Sequence, residues 1–205
     1  MEKKISSAVI RRMPRYYRQL TELDKEGVER ISSEMLASRM GLTASQVRQD
    51  FNCFGGFGQQ GYGYNVQTLR KSIGVILHID KGHTAVLIGV GNLGRALLRN
   101  FHFSKYGFEV TGAFDPSPAQ IGRVIGEVKV RPLDELEEFV RQKRPDIAIL
   151  TVPGGAARET AQQLVSWGVR GIWNFTNIDL HLELDDVPVE NVHFSESLMV
   201  LSYRL

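Results

Sequence analysis

Thr84-Ala85-Val86-Leu87-Ile88-Gly89-Val90-Gly91-Asn92-Leu93-Gly94-Arg95-Ala96-Leu97-Leu98 is the most informative stretch of this 205-residue chain. Thr84 to Ile88 is a short, almost wholly apolar run, the pattern of a parallel strand buried on both faces. Glycines 89, 91 and 94 follow at once with the spacing GxGxxG, and Arg95 to Leu98 opens a helix. In that setting Gly89 permits the tight turn, Gly91 lets the backbone approach a pyrophosphate, and Gly94 lets helix and strand pack closely. The helix N-terminus adds unpaired N–H groups and the positive end of its dipole, which suit a phosphate. Gly89, Val90, Gly91, Asn92, Leu93 and Gly94 are therefore the candidate dinucleotide loop.

The neighbours continue the pattern. Phe108 to Phe114 reads as a second strand and ends in Asp115, 21 residues past Gly94. A carboxylate there accepts hydrogen bonds from a ribose 2′-hydroxyl and repels a 2′-phosphate, which favours NAD over NADP. Pro132 to Arg144 is amphipathic, Asp146 to Val152 is another buried strand, Gly154 to Gly168 is helical, and Gly171 to Phe175 is a further strand. This alternation predicts a doubly wound parallel sheet of the Rossmann type. Ligands of such sheets lie beyond the carboxyl ends of the strands, so Thr151, Val152 and Pro153, with Asn174, Phe175 and Thr176, are expected near the nicotinamide.

Towards the amino terminus, Val9, Met13, Tyr16, Tyr17, Leu20 and Leu23 recur at helical spacing, with a break or helix start expected near Pro14. A second helix should be capped by Ser32 or Ser33 and end at Gly41. A third follows, with Thr43 and Gln46 at capping-box spacing and Val47 and Phe51 facing a core. Two short helices joined by a Gly-containing turn make a helix-turn-helix, whose second helix presents its first turn to base edges. Here that turn carries Ser45, Gln46, Arg48 and Gln49. Arg pairs with guanine and Gln with adenine, so the chemistry fits. An ordinary helical hairpin is the alternative. Residues 55–64 contain a second GxGxxG, at Gly56, Gly58 and Gly61, but no buried strand precedes it. Tyr64-Asn65-Val66 does not read as a helix start, so a turn-rich hairpin is expected, a wing with Gln59-Gln60 at its tip.

The charge is unevenly placed, which points to an anionic partner at the amino-terminal end, with a solvated helix face as the alternative. Lys+Arg number 25 against 23 Asp+Glu, yet residues 1–80 hold 12 basic and 8 acidic side chains and residues 81–205 hold 13 and 15. The first 18 residues carry six basic groups, Lys3, Lys4, Arg11, Arg12, Arg15 and Arg18, and one acid. The single cysteine, Cys53, excludes an internal disulfide framework and fits a reducing compartment. No 18-residue apolar run predicts a membrane span and the amino terminus lacks a signal-peptide core, so a cytoplasmic protein is expected. No Tyr-x-x-x-Lys pair and no metal-spaced Cys/His/Asp set accompanies the loop, which argues against an oxidoreductase and against a metal. A small NAD-dependent oxidoreductase with a helical dimerisation head, or an NAD-binding regulatory subunit, remains the competing reading. Ser195 to Leu205 forms a last short helix, capped by Ser195 and with little polar face. It needs burial, and a second subunit could supply it.

The segments PRYYRQL, ISSEMLASRMGLTASQVRQDF, GGFGQQGYGYNV, VLIGVGNLGRALL, GAFD, ILTVP and GIWNFT together resemble the bacterial redox-sensing repressor family Rex, over essentially the whole chain. The resemblance implies a winged helix-turn-helix domain (1–80), a Rossmann NAD(H)-binding domain (81–190) and a C-terminal helix (191–205) swapped within a homodimer. It implies a repressor that senses the NADH/NAD+ ratio, binds a palindromic operator and leaves it when NADH binds. It places DNA contacts on Arg48 with Ser45, Gln46 and Gln49, on the wing at Gln59, Gln60 and Tyr64, and on Arg12 and Arg15. It places the pyrophosphate on Gly89 to Gly94, the ribose on Asp115, and the nicotinamide beside Val152, Pro153, Asn174 and Phe175, under Phe194 of a partner chain. The chain departs from the family at Asn100, where a Tyr is frequent, at His193, where an Asp is frequent, and at Asn177, where Pro is usual.

Overall fold

Ser6 starts the first helix, α1 (Ser7–Lys25), by accepting the Val9 N–H on its hydroxyl. Val9, Met13, Tyr16, Leu20 and Leu23 fall on one stripe of α1 and are all buried. The computed structural model describes residues 5–57, 62–180, 182 and 187–205, grouped into two compact units, Met1–Asp80 and Lys81–Leu205.

Pro14 does not break α1, contrary to the sequence expectation. Proline removes one i→i−4 bond, and the carbonyl it leaves unpaired belongs to Ile10. Both residues are exposed, so water can take that bond while the opposite stripe stays packed. Ser32 then caps α2 (Ser33–Met40), which ends at Gly41 in the left-handed region at φ 65°. Thr43 caps α3 (Ala44–Asn52) through the Gln46 N–H. The core of this unit joins the α1 stripe to Leu36, Val47 and Phe51.

Two elements here differ from expectation. Asn65 does start a helix: its side chain accepts the Thr68 N–H at 2.9 Å and caps α4 (Val66–Ile76), which packs along α1. Residues 55–64 do not form a self-contained hairpin among the described residues. Tyr64–Asn65 (β2) pairs antiparallel with Arg30–Ile31 (β1), so the strand partner comes from before α2. Gly63 is obligatory in that pairing, because it sits at φ +67° and a Cβ would lie 2.7 Å from the Ile31 carbonyl oxygen. Gln59 and Gln60 lie outside the described residues, as do Lys3 and Lys4.

Among the described residues the second unit holds a seven-stranded sheet. Its strands are β3 (His83–Ile88), β4 (Phe108–Asp115), β5 (Val124–Ile125), β6 (Val128–Pro132), β7 (Ile147–Leu150), β8 (Gly171–Asn174) and β9 (Val189–Asn191). They stand in the order β5-β6-β4-β3-β7-β8-β9, parallel throughout except β5 against β6. Leu98 of α5 (Asn92–Asn100) joins the core on one face. α6 (Leu136–Lys143) and α7 (Gly154–Ser166) cover the other through Phe139, Val140, Ala157, Ala161 and Leu164. This is the doubly wound sheet the alternation predicts, with β5, β6 and β9 in addition. β9 spans Val189–Asn191, so the expected boundary at residue 190 cuts a strand of the sheet.

Asp146 ties the amino ends of β3 and β7. It accepts from Thr84 N at 2.8 Å and pairs with Arg170. Partial burial pushes its carboxyl up, but the Thr84 N–H and the Arg170 guanidinium outweigh this and hold it below the usual range.

α8 (Phe194–Tyr203) closes the chain. Ser195 does not cap it; the helix begins at Phe194, and His193, two residues before Ser195, holds the cap position with no side-chain cap. None of its residues is buried.

Candidate functional site

On the first unit, α3 buries Val47, Asp50 and Phe51 and leaves Ser45, Arg48 and Gln49 exposed, with Gln46 half-buried. The helix is amphipathic, with one face in the core and the other at the surface. Gln46 gives its backbone N–H to the Thr43 cap. Arg48 Nη1 donates to the Ser33 hydroxyl at 2.9 Å, so α2 steadies the guanidinium without neutralising it. Tyr64 packs edge-on against Phe51, with ring centroids 5.1 Å apart. Burial pushes its phenol above the ordinary value, and the Arg48 charge works against that shift. Tyr64 is thus partly a core residue.

Arg12 has a different job from the one expected. Its Nε and Nη2 both donate to Asp50 at 2.7 Å, and Tyr16 Oη donates to the same carboxylate at 2.8 Å. Asp50 is 2% exposed, so the guanidinium fork neutralises a carboxylate that could not otherwise be buried. Burial, with the bond to Asp50, pushes the Tyr16 phenol well above its usual range. Arg15 is exposed, but its Nη2 donates to the Met40 carbonyl at 3.0 Å, at the C-terminus of α2. Both arginines brace the helix-turn-helix from α1. Arg30 was not anticipated. It is exposed on β1, donates to the Tyr62 carbonyl at 2.9 Å and lies 5.8 Å from that ring's centre. The two residues are 32 apart in sequence, so no local pattern joins them.

On the second unit the glycine loop joins β3 to α5. Gly89 sits at φ +93°, and a Cβ there would lie 2.7 Å from the Thr151 carbonyl oxygen. A Cβ on Gly94 would run into the Gly89 carbonyl. A Cβ on Gly91 would meet nothing, so the space in front of the loop is open to a ligand. No side chain caps α5. Val90 is buried, Asn92 exposed and Leu93 half-buried. Asp115 is 8% exposed; its Oδ2 accepts from Val90 N at 2.6 Å and its Oδ1 from Ser117 N at 2.8 Å. The acid therefore also pins the loop, and each oxygen keeps a second lone pair for a hydroxyl donor. Arg95, which motif reading passed over, folds back so that Nη1 reaches the Val90 carbonyl at 3.3 Å and Nη2 the Asn92 amide oxygen at 2.6 Å. A cation at the first turn of a fingerprint helix was the available signal.

At the neighbouring strand ends, Val152 is half-buried and Pro153 exposed. Asn174 is a correction. It is 0% exposed; its Nδ2 donates to Ile178 O and Asn191 Oδ1, both at 2.8 Å, and its Oδ1 accepts from Thr176 N and Thr176 Oγ1. With both donors and both lone pairs committed, the amide shapes the loop and has nothing left for a ligand. Phe175 packs on Trp173 at 4.6 Å between centroids. Phe194 lies 6.3 Å from Phe175 of the same chain.

Two cavities, of about 610 Å³ beside Arg144, Asp146 and Arg170 and about 430 Å³ beside Phe101, Trp173 and Val189, lie at the amino ends of the strands, away from the loop.

A helix-turn-helix joined in one chain to an open glycine loop on a parallel sheet defines a DNA-binding protein with a dinucleotide-binding domain. Residues 4–52 match the family described as putative DNA-binding protein N-terminus, and residues 80–178 match the CoA binding domain family. The chain is 50% identical over 204 residues to the redox-sensing transcriptional repressor Rex of Caldicellulosiruptor saccharolyticus, covering 100% of this chain and 93% of that protein. It is 51% identical over 201 residues to Rex of Caldanaerobacter subterraneus, covering 98% and 89%. It also superposes on a crystal structure of RSP in complex with beta-NAD+ and operator DNA at a TM-score of 0.92, with 50% identity over 98% of this chain and 93% of that one. RSP in complex with beta-NADH gives 0.91 at 46% identity, covering 98% and 94%. The chain belongs to the Rex family of redox-sensing transcriptional repressors.

Proposed function

We propose that this protein is an NAD(H)-responsive repressor that binds operator DNA through α3 and releases it when NADH enters the cleft beside the glycine loop. The observation that carries the reading is the loop itself: uncapped at α5, open in front of Gly91, and closed behind by the contacts that forbid side chains at Gly89 and Gly94. Relatives that share half its residues are Rex repressors, and a similar structure holds beta-NAD+ and operator DNA together.

Each group has a role in this proposal. The backbone of Gly89 to Gly94 cradles the pyrophosphate, and Asp115 accepts from the adenosine ribose, which excludes a 2′-phosphate. Pro153 and Phe175 wall the nicotinamide, and a Phe194 ring closes over it. NAD+ carries a cationic ring and NADH a neutral one, so an apolar wall disfavours the oxidised form. Arg48, Gln49, Ser45 and Gln46 read base edges, while Arg30, Gln59, Gln60 and Tyr64 act at the wing. Arg12 and Arg15 support that face from behind.

The protein acts as a homodimer on a palindromic site, because two copies present two recognition helices about one helical turn apart. The uncovered apolar residues of α8 support a swapped, intersubunit helix. We read the protein as a cytoplasmic sensor, with no hydride transfer to a substrate. No described helix is long and apolar enough to cross a membrane.

The test is fluorescence anisotropy on genomic operator fragments, titrated separately with NADH, NAD+ and NADPH. NADH should release the DNA at a concentration at least about tenfold below that needed of NAD+, a difference of about 1.4 kcal/mol. Equal potency of the two, or release by NADPH as readily as by NADH, would end this reading. Arg48→Ala serves as the DNA-side control and should lose about 1–3 kcal/mol of operator affinity.

A further inference from the structure

The loop after β8 and the root of α8 are held by one small polar cluster. Asn174 folds residues 174–178 tightly by donating to the Ile178 carbonyl, and Phe175 N donates to the Leu150 carbonyl at 2.9 Å. The second Asn174 donor reaches Asn191 on β9, and Val192 N donates to the Asn174 carbonyl at 2.8 Å. Asp179, at the far end of the same loop, takes the Asn191 Nδ2 donor at 3.3 Å and the His193 Nε2 at 3.2 Å on a single oxygen, Oδ1. His193 is the last residue before α8, and its side chain is 16% exposed. Phe194 follows and meets Phe175.

The root of α8 is therefore attached to the loop at two points. A ring contact joins Phe194 to Phe175, and a carboxylate contact joins His193 to Asp179. α8 has no side-chain cap and no buried residue, so within one chain these contacts and the β9 pairing are what hold its root. We propose that Asp179 is a positioning residue for the allosteric response: it fixes residues 191–193, so that a ring entering beside Phe175 turns α8 instead of merely loosening its root. This inference rests on the repressor reading above. The argument for a positioning role over a structural one is exposure. The Asp179 side chain is 60% exposed, and a hydrogen bond made at the surface stabilises a fold little, so the contact's value lies in geometry.

The test uses the full-length protein and measures operator affinity with and without saturating NADH, plus NADH affinity by calorimetry. The variants are D179A, D179N, H193A and the D179A/H193A pair. In the unmodified protein NADH should weaken operator binding by a factor in the usual allosteric range, about 5–150-fold. D179A should cut that factor at least about fivefold while leaving nucleotide-free operator affinity and NADH affinity each within about threefold. D179N keeps an acceptor oxygen for Asn191 and for a neutral His193, so it should retain the response. If Asp179 and His193 act through one contact, the paired variant should be no worse than the stronger single one. A D179A protein that responds like the unmodified one overturns the inference. So does one whose loss of response is matched by a loss of NADH affinity, because Asp179 would then belong to the cofactor pocket. If the unmodified protein binds NADH and keeps its operator grip, the repressor reading itself has failed, a result distinct from either.

Discussion

Two helices near opposite ends of the chain treat their apolar side chains in opposite ways. On α1, Met13, Tyr16 and Leu20 are 0% exposed and Leu23 is 1% exposed. On α8, Leu198 is 68% exposed, Met199 63%, Val200 53% and Leu201 54%. At roughly 25 cal/mol per Å² of buried apolar surface, leaving four such side chains in water forgoes several kcal/mol. α1 gets its burial from the short helices of its own unit. α8, within its unit, lies over no such core. On the homodimer reading, that uncovered face is the one a second subunit would take, whereas α1 is finished at the level of its own unit.

The contrast yields graded expectations. The largest concerns the anchor of α1. Asp50→Ala leaves the Arg12 fork and the Tyr16 hydroxyl without their acceptor and should destabilise the amino-terminal unit by about 3–5 kcal/mol. Hydrogen exchange in the full-length protein would show it as lost protection in residues 7–76, with the sheet unchanged. Retained protection would mean that α1 is held by its apolar stripe alone.

Next comes α8. The double variant L198D/L201D should turn a dimer into a monomer by sedimentation and weaken operator binding by about 100-fold, or 2.7 kcal/mol. Its melting, extrapolated to a monomer reference, should barely change, since neither side chain is buried in its own chain. A variant that stays dimeric would place the interface elsewhere.

A smaller effect, of opposite sign, is expected at Pro14. Pro14→Ala restores a hydrogen bond to Ile10 and should stabilise α1 by about 1–2 kcal/mol, less the unfolded-state entropy that proline removes. A loss of stability would show that the restriction proline places on the unfolded chain outweighs the restored hydrogen bond.

The smallest concerns a site that neither helix touches. The Asp146 carboxyl is held below its usual range in the fold, so its contribution is present above the unfolded carboxylate pKa and is lost as pH falls through its lowered folded value. Asp146→Asn should cost under about 1 kcal/mol near neutrality, and its stability curve should converge with that of the unmodified protein in acid. Parallel curves would refute the assignment.

Much of the dinucleotide site was legible because its chemistry is local. A strand, three glycines and a helix start lie within 15 consecutive residues, and Asp115 falls at the end of the next strand. The helix-turn-helix was legible for the same reason: Ser32, Gly41 and Thr43 each satisfy a helix terminus within three or four residues. Two of the misreadings involved residues distant in sequence. Arg12 looked like a DNA contact until Asp50, 38 residues away, took its fork. Asn174 looked like a ligand contact until Asn191, 17 residues away, took its last donor. Asn65 was missed as a cap because the glycines before it drew the reading towards a hairpin.

Residue order alone was enough to specify most of the strand and helix succession, the caps of α2 and α3, and the glycine turn with its phosphate-ready helix end, since each depends on backbone sterics and hydrogen bonds spanning a few residues. Packing in three dimensions assigned the polar side chains their partners. It turned Arg12 inward, saturated Asn174, folded Arg95 onto the loop and brought Asp179 to His193. A charge or an amide acquires its role from whichever complementary group burial brings within about 3 Å, and no local spacing encodes that.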